Sequence, residues 1–206
     1  MKITSIQKQK KEGRYNIYID DEFAFGLYGD TVFKFGLRRN DELNENKIKE
    51  IRDYDEFQYG SKVAMRYLSK SARTEEEVKK RLLKEKINTS NIQKVVNQLK
   101  TLKYIDDIAY TRNFLQYRLK KNPQGRLVLE KKLKQKGVSK EIIEQSMNEL
   151  YDLKTETEKL EEQLKKYLKK VKGKTLLEKK QKCWRYLMSK GYTYETISEI
   201  FPEYFS

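Results

Sequence analysis

The 206 residues contain no histidine and one cysteine, Cys183. The commonest general base and commonest metal ligand is therefore missing, one thiol does not compose a zinc site, and no disulfide can close within the chain. The acid–base chemistry that remains belongs to carboxylates. Asp106 and Asp107 form an adjacent pair with that capacity, as acid and base or as ligands of a nuclease-type metal. Their competing role is to cap a following helix, and that is the expectation. Glu75, Glu76 and Glu77 read the same way, as first-turn residues favoured by the helix dipole. Cys183 stands beside Trp184 on an amphipathic stretch with no histidine to activate it, so a buried small hydrophobe is expected rather than a nucleophile. No Gly-x-x-x-x-Gly-Lys-Ser/Thr loop is present to cradle nucleotide phosphates. No catalytic residue, metal or cofactor is assigned, and the chain is expected not to be an enzyme.

The other chemistry in the sequence is charge. Lys and Arg number 46 against 31 Asp and Glu, a formal charge of +15, which points to a polyanionic partner because each phosphate met by a cation releases condensed counterions. Residues 160–190 hold eleven Lys or Arg against three Glu. Within that stretch Lys165, Lys166, Lys169, Lys170, Lys179, Lys182 and Arg185 are candidate contacts to DNA or to an acidic protein surface. A second group, Arg112, Arg118, Lys120, Lys121, Arg126, Lys131 and Lys132, flanks Pro123. Tyr110, Tyr117, Tyr167 and Tyr186 lie among these cations, as candidates to stack on bases or, equally, to pack between helices. An export signal and a membrane span are not expected, since no stretch nears the roughly 20 apolar residues that cross a bilayer.

The elements that hold these residues fall into two kinds. From Lys2 to Tyr28 the period is short: Ile3 and Ile6, then Tyr15, Ile17 and Ile19 alternating with Asn16 and Tyr18, then an apolar run from Phe23. Breaks at Gly13 and at Asp20-Asp21-Glu22 predict a small three-stranded antiparallel unit built from hairpins, too small to stand alone and expected to pack on the adjoining chain. Beyond Thr31 the sequence is rich in helix formers, with Pro only at Pro123 and Pro202. Ile92, Val95, Val96, Leu99 and Leu102 recur on one helical face, as do Ile143, Met147 and Leu150. Trp184, Leu187 and Met188, then Ile197, Ile200 and Phe201, repeat that spacing, and all of these stripes are assigned to core packing.

Helix ends are also written in the chain. Thr74 with Glu77 and Ser90 with Gln93 fit the capping box; Gly137 and Gly191 suit left-handed helix ends, with Ser139 and Thr193 as the next caps. Aligning Leu83, Leu133 and Leu187 gives spacings of 50 and 54, in which Ile87 takes the place of the first glycine and Asn88 supplies the left-handed tolerance. A period near fifty residues holds about three short helices. The fold expected is mostly α: three tandem three-helix repeats in an elongated curved array, preceded by a small antiparallel β-hairpin unit. The expected divisions are 1–55 for the β unit and a linker helix, then repeats over 56–105, 106–153 and 154–206.

Placed on this frame, Ala64, Tyr67-Leu68, Arg73-Thr74, Glu77, Val78 and Leu82 resemble the "YL…RTxxEL…L" signature of the RecX family. Tyr104-Ile105-Asp106-Asp107, Ala109-Tyr110 and Phe114 are similar to its "YIDDxxFAxxF", and Gly125-Arg126-Leu127, Leu133, Lys136-Gly137-Val138 and Ile142-Ile143 to its next block. Tyr15 to Leu27 looks like the extension of RecX proteins from Gram-positive bacteria. Lys103 departs from the usual glycine before the tyrosine, and Thr111 from the usual alanine. The resemblance implies a monomeric, cytoplasmic regulator that lies in the groove of the RecA filament on single-stranded DNA, and possible contact with double-stranded DNA. It further implies modulation, mainly inhibition, of RecA ATPase and strand exchange in homologous recombination, DNA repair and the SOS response. A stand-alone basic nucleic-acid-binding protein is the alternative that the charge alone supports.

Overall fold

The computed structural model describes residues 1–10 and 12–205. Strands β1 (Ile3–Lys8), β2 (Arg14–Ile19) and β3 (Glu22–Tyr28) form one antiparallel sheet in the order β1-β2-β3. The pairing of Ile19 with Glu22 leaves Asp20 and Asp21 as a two-residue turn, both at positive φ (50° and 68°), as a primed hairpin turn requires. The sheet buries Ile3, Ile17, Ile19, Phe25 and Leu27 against Leu37, Leu43 and Ile51. Short helix α1 (Gly29–Lys34) leads to α2 (Glu45–Leu68), a continuous 24-residue helix that supplies Ile51 and runs through position 55. Asp55, buried on α2, accepts hydrogen bonds from Tyr28 N (2.8 Å) and Thr31 Oγ1 (2.6 Å), so a charged residue ties the last strand to the helix.

Helices α3 (Glu75–Lys84) and α4 (Thr89–Thr101) come next, then α5 (Asp107–Lys121), α6 (Arg126–Gln135) and α7 (Lys140–Leu150), then α8 (Leu153–Leu168), α9 (Leu176–Ser189) and α10 (Tyr194–Tyr204). The fold is mostly helical behind a three-stranded sheet, as the sequence predicts. Two compact units are present, residues 1–71 with 78–102 and residues 72–77 with 103 onward, the division falling within α3. In the second unit α5–α7 enclose Leu115, Leu129, Leu133, Val138, Ile143, Met147 and Tyr151. Helices α8–α10 enclose Leu160, Leu164, Cys183, Leu187, Tyr192, Ile197, Ile200, Phe201 and Phe205.

The capping box at Thr74 forms as predicted: Glu77 N donates to Thr74 Oγ1 and Thr74 N to Glu77 Oε2, each at 3.2 Å. The one predicted at Ser90 does not. Helix α4 starts two residues earlier, with Asn88 accepting from Asn91 N (2.8 Å), so Ser90 lies inside the first turn. The first repeat is also one residue out of the predicted register. Ile87 N, Val138 N and Tyr192 N donate to the carbonyls of Leu82, Leu133 and Leu187 at 3.2–3.3 Å, and Lys86, Gly137 and Gly191 hold the left-handed position at φ 61°, 79° and 89°. The equivalent leucine is therefore the buried Leu82, not the exposed Leu83, and the spacings are 51 and 54. Asn88, Ser139 and Thr193, three residues that all cap, mark that register in the sequence.

Two stripe residues leave the core: Leu102 is the C-cap of α4 and exposed, and Met188 is exposed on α9. Trp184 is half-buried, its ring edge-on to Phe201 (5.0 Å) and Tyr194 (5.1 Å). Lys103, in the place of a glycine, does adopt a positive φ of 57°. Thr111, in the place of an alanine, is buried with its hydroxyl donating to Asp107 O at 2.7 Å, so the extra polar atom is satisfied.

One joint occurs twice. At the start of α6, Gly125 N and Leu127 N donate to Lys190 O (2.9 Å) and Gly191 O (3.2 Å) at the end of α9, while Arg126 N donates to Glu156 Oε1 of α8 (3.2 Å). At the start of α3, Thr74 Oγ1 donates to Lys136 O at the end of α6 (2.6 Å), while Glu75 N donates to Asp107 Oδ1 of α5 (2.9 Å). Each joint thus sets the start of one helix against another helix's orphan carbonyls, which accept from backbone N–H groups in the first case and from the Thr74 hydroxyl in the second, while a carboxylate from a third helix accepts from an orphan N–H.

Candidate functional site

The predicted cations divide by what already holds them. On α5–α7, Arg112 Nη2 pairs with Glu149 Oε2 (2.7 Å) across to α7, and Arg126 Nε pairs with Glu130 Oε1 (2.9 Å) while its Nη2 donates to Asn148 Oδ1 (3.2 Å). Lys120, Lys121 and Lys131 are exposed and take part in no ion pair among the described residues. On α8, Lys165 pairs with Glu161 (2.7 Å) and Lys166 with Glu162 (2.6 Å), one helical turn apart. The hydrogen bond to Glu161 raises the Lys165 pKa, and the same contact lowers that of Glu161. Lys182 Nζ donates to Lys172 O (2.7 Å) and Arg185 Nε lies 3.4 Å from Gln181 O. Lys169, Lys170 and Lys179 are exposed and, among the described residues, unpaired.

Arg118 and Lys132 are half-buried, as Arg126 is, but unlike Arg126 neither meets a carboxylate among the described residues. The Arg118 guanidinium sits 5.2 Å over the Phe114 ring, and its Nε is buried with no acceptor among the described residues. Lys132 Nζ donates to Gln124 Oε1 at 2.7 Å. The pKa of Lys132 is pulled below the ordinary lysine value, first by burial and then by the charges of Arg118 and Lys190. Lys190, at the end of α9, reaches this place through the Gly125–Gly191 joint, with its Nζ 5.3 Å over the Tyr186 ring. Sequence reasoning places Arg118 and Lys132 among the basic candidates but has no means of bringing Lys190, 58 residues from Lys132, beside them. Gln124, the neutral acceptor on Lys132, carries no signal in the sequence either.

The aromatic candidates separate similarly. Tyr167 and Tyr186 stack on each other at 4.0 Å with an interplanar angle of 2°, and Tyr186 Oη donates to Gln163 Oε1 (3.0 Å), so packing accounts for both. Tyr110 is half-buried and burial raises its pKa. Tyr117, on α5 beside Arg118, is 61% exposed. The carboxylate pair serves as acceptors at helix starts: Asp106 Oδ1 takes Ala109 N at 2.9 Å, and Asp107 completes the joint to α3. Cys183 is fully buried in the core of α8–α10, and burial pushes its thiol pKa up, as expected of a packing residue.

Four family models match in order along the chain: the regulatory protein RecX N-terminal domain over residues 1–44, and the first, second and third RecX three-helix domains over 62–99, 106–147 and 155–201. Among curated relatives, the regulatory protein RecX of Streptococcus mutans is 36% identical over 195 residues, covering 95% of this chain and 74% of that one. The regulatory protein RecX of Bacillus licheniformis is 34% identical over 202 residues, covering 98% of this chain and 76% of its own length. Among solved structures, a crystal structure of regulatory protein RecX superposes with a TM-score of 0.73 at 25% identity over 98% of both chains. The crystal structure of RecX from Lactobacillus salivarius gives a TM-score of 0.67 at 27% identity, over 73% of this chain and 97% of that one. With four domain models in sequence and relatives above 30% identity over nearly its whole length, the chain belongs to the RecX family of regulatory proteins.

Proposed function

We propose that this RecX-family chain regulates the RecA recombinase, binding the RecA–DNA filament in its groove and mainly inhibiting its ATPase and strand exchange. It acts as a cytoplasmic monomer without catalysis of its own, in homologous recombination, DNA repair and the SOS response. The observation that carries the reading is the run of three RecX three-helix domains over 62–201, behind the RecX N-terminal domain. The state of the cations supports it: Lys120, Lys121, Lys131, Lys169, Lys170 and Lys179 are exposed and uncommitted among the described residues, as contact with filament DNA or an acidic protein surface needs. Asp106 and Asp107, the adjacent carboxylate pair expected to cap a helix and not to do acid–base or metal chemistry, both accept backbone N–H groups at helix starts.

Purified protein added well below one molecule per RecA subunit is expected to change DNA-dependent ATP hydrolysis by RecA. No change even at equal amounts overturns the reading. The second reading, a stand-alone nucleic-acid-binding protein, is favoured by the +15 charge alone. It predicts tight binding to bare DNA with a steep salt slope that RecA leaves unaltered.

A further inference from the structure

We propose that Arg118, Lys132 and Lys190 form a seat for one backbone phosphate of single-stranded nucleic acid, at the joint where α6 meets the end of α9. The inference deepens the filament-binding reading and rests on it for the source of the phosphate.

Three observations converge on this place. Half-buried cations are normally matched by carboxylates, as Arg126 is by Glu130 (2.9 Å) and Lys136 by Glu77 (2.6 Å) in the same unit. Arg118, Lys132 and Lys190 have no such partner among the described residues. The charges acting on the Lys132 ammonium are the two other cations, and the hydrogen bond it donates goes to a neutral amide, Gln124 Oε1. The Arg118 Nε–H is buried without an acceptor among the described residues, and its guanidinium lies 5.2 Å over the ring of Phe114, so the charge is held in place with no carboxylate to answer it.

Like charges gathered in a partly desolvated place raise the free energy of the ligand-free protein, and a doubly hydrogen-bonded anion among them offsets that repulsion with attractions of its own. A phosphodiester fits better than a carboxylate. Its two non-bridging oxygens share one charge as a carboxylate's do, but a nucleic-acid phosphate also comes with a base, for which the exposed Tyr117 on α5 is a candidate stacking partner. Because Lys190 follows α9 and the other two cations lie on α5 and α6, the same phosphate would bridge two consecutive three-helix domains.

The test is oligo-dT binding by the full chain without RecA, read by fluorescence anisotropy, for R118Q, K132M and K190M, with K140M at an exposed Glu144 pair as the control. Each of the three is expected to weaken binding about three- to ten-fold near 0.1 M salt and to lower the salt slope by no more than about 0.7, the share of one single-strand phosphate, while the control changes binding by less than about two-fold. In the absence of oligonucleotide, K132M is expected to keep or raise the thermal midpoint, because it relieves repulsion; a structural lysine would lower it. Affinity equal to the parent protein in all three variants overturns the seat, as does a loss of affinity that tracks a lowered midpoint in each. Competition by polyglutamate as effective as by unlabelled oligo-dT would overturn it in favour of a carboxylate partner. Stabilisation by inorganic phosphate that needs these residues, with oligo-dT binding that does not, would overturn it in favour of a free phosphate. Since no step uses RecA, failure here is separate from failure of the regulator reading.

Discussion

Single residues carry the clearest costs in this molecule. Glu156 is 5% exposed, accepts Arg126 N, and has burial raising its carboxyl pKa, against which that N–H bond and the Arg126 charge pull down. The buried Tyr192 hydroxyl, without a hydrogen-bond partner among the described residues, and Tyr151 lie near enough for Glu156 to raise both phenols further. A carboxyl whose native pKa exceeds its unfolded value stabilises the fold when protonated, fully so below the unfolded pKa, and that contribution is lost as pH rises through the raised native value. Glu156→Gln keeps an oxygen for Arg126 N and removes the titration. It is expected to be at least as stable as the parent at pH 7 and to lack the parent's loss of stability just above the unfolded glutamate pKa, measured by urea unfolding across pH 4–7. A variant uniformly less stable at pH 7 would show that the ionised form is required. Lys86 and Lys103 hold left-handed φ values where Gly137 and Gly191 stand at the corresponding end of later repeats or where the family pattern has glycine. Lys86→Gly is expected to stabilise by about 0.5–1 kcal/mol, since the left-handed penalty of a side chain exceeds the entropy cost of glycine there; a lower denaturation midpoint would contradict it.

At the scale of elements, the joints and stripes matter more than any one helix's propensity. A Cβ at Gly125 would stand 2.2 Å from the Gly191 carbonyl carbon and oxygen, both backbone atoms that cannot move aside alone. Gly125→Ala must therefore open the α6–α9 joint, and a loss on the order of 1–3 kcal/mol is expected from overpacking, seen as a lower unfolding midpoint; an unchanged midpoint would mean the joint tolerates separation. Leu99 is 2% exposed on α4, and Leu99→Ala is expected to cost about 2–5 kcal/mol through the cavity it leaves. Charge reversal needs the same attention to elements. Reversing Lys165 and Lys166 puts like charges beside Glu161 and Glu162 and loosens α8 itself. Reversing Lys169, Lys170 and Lys179, which hold no such pair, is expected to leave the thermal midpoint nearly unchanged while weakening association with the RecA–DNA filament, an effect that shrinks as salt rises. Undiminished association at low salt would place contact on another face.

For the molecule as a whole, the fold class follows from signals internal to each segment of the chain. Alternation over the first 28 residues, heptad-like stripes after Thr31, and polar caps next to glycines are local signals with fixed periods, so they are legible before any tertiary contact is known. The absence of histidine and the charge of +15 are likewise properties of composition, and they direct attention to binding surfaces. The first repeat reads one residue out of register because Lys86 holds the left-handed position without being glycine, and a conformation has no signature when its usual residue is missing. Which charges are spent depends instead on how the helices meet. Lys165 and Lys120 are alike in sequence, yet one is held by Glu161 and the other is uncommitted; Lys190 joins Arg118 and Lys132 only because two helix ends meet through Gly125 and Gly191. Helix formation depends on residues a few positions apart, whereas the pairing of a charge depends on neighbours that chain distance does not reveal, and so the fold was legible and the site was not.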